Sequence, residues 1–323
     1  MSDPKTALDE ALALEQGGEH AAAQEKALRA LLELREREGD REGRLEVRHQ
    51  LAQVLLLRER PDAALSEVHA GLELCDRASD ESERAALLVL AAQINLVQDK
   101  PARALALAKQ SLGLARRGGK RRVLIDALVQ YALMDEDGQR ARSMLEEALD
   151  GAELLRELPL RARILQQLAG IEAGLGDVTS ALGRLRYCAE TWVELGDAAE
   201  QLEALHAAGE LASAHGLHAE AIDLGLLQQR IAAAEPSALG AACFVTAQRR
   251  IAAGDLEGAA ADFRGAVDAY PMPSAKGVAR AMLGQVLAAT GDVAEARAML
   301  ERAREDLVGT DGAAEIDQLL SAL

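Results

Sequence analysis

The chain has 323 residues and a formal net charge of −17, from 36 Lys+Arg against 53 Asp+Glu; 49% of its residues are hydrophobic but only 2% are aromatic. So acidic a surface repels phosphate backbones and argues against nucleic acid as a partner. An interior left to Ala, Leu and Val, with almost no aromatics, favours helix packed on helix over sheet.

The first residues, Met1-Ser2-Asp3-Pro4 and the acidic stretch after them, lack a basic region followed by an apolar core, so no signal peptide is expected. The purest apolar run, Ala85 to Ala92, is too short to cross a bilayer, so no membrane span is expected either. Three cysteines, Cys75, Cys188 and Cys243, lie far apart with no CxxC pair, which suits free thiols in a reducing compartment. The expected location is cytoplasmic.

In chain order the predicted elements are helical hairpins. Each is anchored by an alanine early in its second helix: Ala23, Ala64, Ala104, Ala141, Ala181, Ala221, Ala259 and Ala296, at steps of 41, 40, 37, 40, 40, 38 and 37 residues. Twelve residues before the anchor stands a small or β-branched residue: Ala11, Ala52, Ala92, Val129, Ala169, Gly209, Ala247 and Gly284. Four residues after it an apolar residue recurs, with Gly225 as the exception. A small residue on each helix lets the two backbones close up, and the apolar residue one turn on fills the gap to a neighbour.

Turn chemistry agrees with this register. Gly176-Asp177, Gly254-Asp255 and Gly291-Asp292 each join two apolar-periodic segments. Gly accepts the left-handed conformation that ends one helix, and Asp caps the next. Pro61 and Pro101 fall three residues before their anchors, in the first turn of a second helix, where a missing N–H costs nothing. Residues 312–323 read as a terminal capping helix. The sixth repeat is the least regular, with Gly225 and Gln228 at apolar positions, and is expected to be a local weak point.

Leu283-Gly284, Gly291-Asp292 and Ala296 in the last repeat, Leu168-Ala169, Gly176-Asp177 and Ala181 in the fifth, and Ala259, Phe263, Ala266 and Pro271 in the seventh resemble the tetratricopeptide repeat. The period is nearer 40 residues than the usual 34, like the longer variant in bacterial signalling proteins. The resemblance implies an all-α, right-handed α-solenoid of about eight helix-turn-helix repeats, one domain over residues 1–323, ending in the capping helix.

It also implies a concave groove lined by the first helices. Eleven residues before the anchor lie Gln53, Gln93, Gln130, Gln248 and Gln285, with Leu12, Gly170 and Glu210 in the other repeats. Carboxamides offer a donor and an acceptor to the backbone of an extended peptide, although Gln is also an ordinary residue of a solvated helix face. The other carried-over groove positions include His49, Asp126, Arg163, Gln166, His206 and Phe244, with Glu203, Leu56, Leu96 and Leu133. The paired Lys and Asn with which some of these proteins grip a C-terminal carboxylate are absent.

No phosphate loop, GxSxG elbow or HExxH helix occurs. His215-x-x-His218 falls in a turn and reads as surface rather than as a metal site. The basic run Arg116, Arg117, Lys120, Arg121 and Arg122 reads first as a helix end and turn, with a docking point for an acidic partner as the sharper alternative. The expectation is therefore a non-catalytic adaptor or scaffold, without cofactor or metal, holding an extended or helical protein segment. The alternatives are a ligand- or peptide-sensing regulatory module and a self-assembling homodimer.

Overall fold

A computed structural model of the chain describes residues 19–76 and 79–323. Ala11 and Leu12, the first-repeat positions of the sequence register, lie outside the described residues. The described residues form sixteen α-helices and one 3-10 turn, Ala232–Ala234.

The helices fall into two compact units, Met1–Glu157 and Leu158–Leu323. The first holds α1 (His20–Glu38), α2 (Arg41–Leu57), α3 (Pro61–Leu74), α4 (Glu81–Val97), α5 (Pro101–Gly118), α6 (Arg121–Ala132) and α7 (Gly138–Leu155). The second holds α8 (Leu158–Gly174), α9 (Val178–Leu195), α10 (Ala198–Ala214), α11 (His218–Ile231), α12 (Pro236–Ala252), α13 (Leu256–Ala269), α14 (Pro273–Thr290), α15 (Val293–Asp306) and α16 (Gly312–Ala322). Within each unit every helix packs against the next in sequence, the pattern of stacked hairpins. In the first unit α2 also touches α4, and α4 touches α6, so the first helices of three repeats stand side by side.

All eight anchor alanines are buried, six of the seven described residues twelve before them are buried too, and Val129 is half-buried. At Gly284 the reason is visible, since a Cβ there would stand 2.7 Å from Leu300 Cγ on the partner helix. The residue five before the anchor is left-handed in six hairpins: Gly176, Gly216, Gly254 and Gly291, but also Glu59 (φ 56°) and Asp99 (φ 56°). The predicted caps form, with Asp177, Asp255 and Asp292 accepting from the N–H groups of Ser180, Gly258 and Glu295 at 3.2, 2.9 and 3.1 Å. Pro61 and Pro101 open α3 and α5. The capping helix α16 buries Ile316 against Leu300, Ala303 and Leu307.

The fourth repeat departs from the register. Its turn, residues 133–137, is longer than the two- or three-residue turns inside the other described hairpins, and burial in α6 falls on Ile125, Ala127, Leu128, Gln130 and Ala132. Asp137 caps α7 through the N–H groups of Gln139 and Arg140.

The sixth repeat replaces apolar packing with a polar interior. Gly209 on α10 makes room for the guanidinium of Arg249 from α12; a Cβ at 209 would stand 2.2 Å from Nη2. Arg249 is 3% exposed and donates to Gln228 Oε1 at 3.1 Å, Ala221 O at 3.3 Å, Glu210 Oε1 at 3.3 Å and His206 O at 3.4 Å. Gln228 in turn donates to Leu202 O at 3.2 Å. Gly225 lies against Thr246, whose Oγ1 would stand 2.4 Å from a Cβ there. The departures that mark this repeat in sequence, Gly225 and Gln228, thus fit their neighbours: Gly225 admits Thr246, and Gln228 accepts from Arg249, which Gly209 admits.

Candidate binding groove

The side-by-side first helices of the first unit form a groove of about 600 Å³. Its floor is apolar, from Leu45 on α2, Ala86 and Leu87 on α4 and Val123 on α6. Along α2 it presents Arg41, Glu42, Glu46, His49, Gln50 and Gln53, one turn after another. The far wall comes from the heads of α4 and α6, with Asp80, Ser82, Glu83 and Lys120.

Ion pairs across the repeat boundaries brace this wall. Arg41 pairs with Asp80 and donates from Nε to Leu74 O at 3.0 Å. Lys120 Nζ sits 2.6 Å from Glu83 Oε1, and Ser82 Oγ donates to Gly118 O at 2.8 Å. Burial pushes the Glu83 carboxyl up, but the hydrogen bond from Lys120, a backbone hydrogen bond and the charges of Lys120 and Arg41 together outweigh it and hold the group below its ordinary value. His49 is half-buried, and burial pushes its pKa below the ordinary value despite the opposing pull of the Asp126 carboxylate, so the imidazole is neutral at pH 7.

Two of the residues expected at a groove, His49 and Gln53, line it directly, and Asp126 acts on His49 from α6. Gln53 is exposed and Gln93 half-exposed, and among the described residues neither carboxamide has a hydrogen-bond partner. Gln130 is buried, so it does not share their exposed position; the longer fourth turn accompanies this shift. In the second unit Arg163, Gln248 and Gln285 are exposed and Gln166 and His206 half-buried, on α8, α12, α14, α8 and α10 respectively. Phe244 serves the core instead, packed edge-to-face on Phe263 with ring centroids 5.3 Å apart.

The sequence reading misses the charged lining. The positions carried over for the groove start near the middle of each first helix, whereas the cavity reaches back to the first turn and to the loop before it. The second unit has a smaller cavity of about 360 Å³, lined by Arg186 and Glu190 of α9, Gln201 and Leu205 of α10, and Asp223 and Arg230 of α11. None of the expected site residues lines it.

Other candidate chemistry is absorbed by structure. Arg116, Arg117 and Lys120 of the basic run pair with Glu147, Glu81 and Glu83 at 3.1, 2.7 and 2.6 Å, and Arg122 with Asp126 at 3.1 Å. Among the described residues, no group of three or more His, Cys, Asp and Glu side chains is placed to hold a metal ion. Cys188 and Cys243 are buried free thiols, pushed up to about 11 by burial. No described helix is long and apolar enough to cross a membrane.

No protein-family model matches the chain, and no curated protein matches its sequence. Solved structures do match. A signal-transduction ATPase with numerous domains from Pyrococcus horikoshii, with a tetratricopeptide repeat sensor, superposes at TM-score 0.63 and 12% identity over 93% of this chain. The chain spans only 46% of that protein's length. The apo form of RapI matches at TM-score 0.61 and 9% identity, over 86% of this chain and 81% of RapI. A Rap protein complexed with competence and sporulation factor matches at TM-score 0.50 and 14% identity, over 99% of both chains. Stacked hairpins with a small-residue anchor every 37 to 41 residues, together with these likenesses, give the chain the fold of the tetratricopeptide-repeat proteins.

Proposed function

We propose that the chain is a non-catalytic binding module that holds an extended or helical protein segment across the first helices α2, α4 and α6. The observation that carries this reading is the groove itself: an apolar floor, a braced wall and the free carboxamide of Gln53; Gln93 holds the same register position on α4, outside that lining. Apolar floor buries side chains, and unpaired amides match a peptide backbone without demanding a particular sequence. The reading is tested by affinity purification from the native host's lysate, comparing wild type with Gln53→Ala/Gln93→Ala. A protein retained by wild type and lost by the variant supports a groove-binding adaptor; equal retention by both removes the carboxamides from the site.

A second reading, a regulatory module that senses a ligand or peptide, is favoured by the fold likeness to a sensor region and to a Rap protein bound to a factor. It separates from the first by a shape change on binding, measured by small-angle scattering. A homodimer remains the third reading, tested by light scattering at high protein concentration.

A further inference from the structure

We propose that the groove selects a cationic segment, one that brings Lys or Arg side chains to Glu42 and Glu46. The inference rests on the groove being the binding site and adds the charge class of what enters it.

Six charged side chains line the groove, and four of them neutralise one another: Arg41 with Asp80, and Lys120 with Glu83. Each pair ties one repeat to the next. That leaves Glu42 and Glu46. Glu42 has no partner among the described residues, and Glu46 accepts only a long contact, 3.4 Å, from Gln50 Nε2. The two carboxylates are four residues apart on α2, hence one above the other on a single face, where like charges repel. A cation between them relieves that repulsion.

Nothing else in the groove does so. His49, one turn from Glu46, is kept neutral by burial. Glu42, in the first turn of α2, shares the helix's positive end with Asp40, which accepts from Gly43 N–H at 3.0 Å; Glu46 lies a turn further on, and Asp80 stands at the head of α4. An anionic ligand would have to break the Arg41–Asp80 or Lys120–Glu83 pair to find a counter-charge. A Lys or Arg needs no rearrangement, because Leu45, Leu87 and Val123 accept its alkyl stem while its head stays at the carboxylates. The net charge of −17 adds long-range attraction of the same sign.

The test is selection of phage-displayed random dodecapeptides on the full chain. The enriched peptides are then synthesised and titrated calorimetrically against wild type, Glu42→Gln/Glu46→Gln and Gln53→Ala. The expected result is enrichment of Lys and Arg, and a loss of affinity of roughly threefold to thirtyfold in Glu42→Gln/Glu46→Gln, the sum of two exposed pairs. Added salt weakens binding to wild type, and does so less for the double variant. Should the double variant fold poorly, the salt dependence of wild type decides alone: salt-independent binding overturns the proposal. Peptides without basic bias, or binding that Gln53→Ala weakens and Glu42→Gln/Glu46→Gln does not, overturn charge selection and leave the groove standing. Failure to enrich any peptide, or indifference to both variants, overturns both.

Discussion

Glu25 in the first unit and Arg249 in the second are both buried charges, 6% and 3% exposed, yet they are compensated in opposite ways. Glu25 on α1 is surrounded by formal charge: Arg29 and Arg60 lie 3.0 Å away and Arg58 completes the set. Arg249 is met mainly by dipoles, two backbone carbonyls and a carboxamide, with only the exposed Glu210 as a counter-ion. The pKa directions follow. Burial works against the ionised Glu25, but Arg29 and then Arg60 outweigh it and hold its carboxyl below the ordinary range. Burial works against the charged Arg249 as well, and there it wins over Glu210, so its pKa is lowered. A charge matched by charges tolerates local change, because others remain; a charge matched by fixed dipoles depends on the fold that holds them.

The largest expected effect therefore falls on the second unit. Arg249→Ala removes the donor to Gln228 Oε1 and to two backbone carbonyls and opens a cavity beside Gly209, and should cost about 2–4 kcal/mol in urea unfolding. Gly209→Ala, which drives a Cβ into the guanidinium, should be destabilising in the same direction. If Arg249→Ala melts like wild type, the polar interior of the sixth repeat contributes nothing to stability and the contrast with Glu25 collapses.

Glu25→Gln should cost less, about 1–2 kcal/mol, because Arg29, Arg58 and Arg60 are part-exposed and keep solvent, and Arg29 keeps Glu67 at 3.9 Å. The same contrast has a pH signature. The folded pKa of Glu25 lies below its ordinary value of 4.5, so the unfolded chain binds the proton first; its contribution is complete above that value and is lost as pH falls through the folded one. His49 acts in the same direction at higher pH: its folded pKa lies below 6.5, so stability falls as the unfolded imidazole protonates below that value. Acid melts of wild type and Glu25→Gln should draw together as pH falls below 4.5, and convergence at neutral pH instead would assign Glu25 no ionic role.

The smallest effect concerns the turns. Glu59 and Asp99 take the left-handed conformation that Gly176, Gly254 and Gly291 take in other repeats. Relief of a left-handed side chain is partly offset by the entropy of a more flexible unfolded chain. Glu59→Gly should thus stabilise by about 0.5–1 kcal/mol, seen as a raised Tm; a lowered Tm would mean that the Glu59 side chain does more than occupy the turn.

The sequence by itself determined the repeat. Small anchors must face small partners for two helices to close, and Gly-Asp can end one helix and begin the next, so periodicity located every described hairpin and its buried alanine. Those rules are local, because each needs only residues within one or two turns or across one tight hairpin. Three things were settled only in three dimensions. Residues 133–137 lengthen a turn, and Gln130 is buried where the ladder of amides expects exposure. Gly225 and Gln228 look like separate defects in sequence, and they join Gly209, Thr246 and Arg249 in one cluster only when α10, α11 and α12 meet. The charge of the groove is a remainder, what is left after Arg41 and Lys120 have found carboxylates on neighbouring repeats. For the cluster and the groove the physical reason is shared: contacts across roughly twenty to forty residues are decided by packing between repeats, and a period read along the chain carries no record of which side chains meet there.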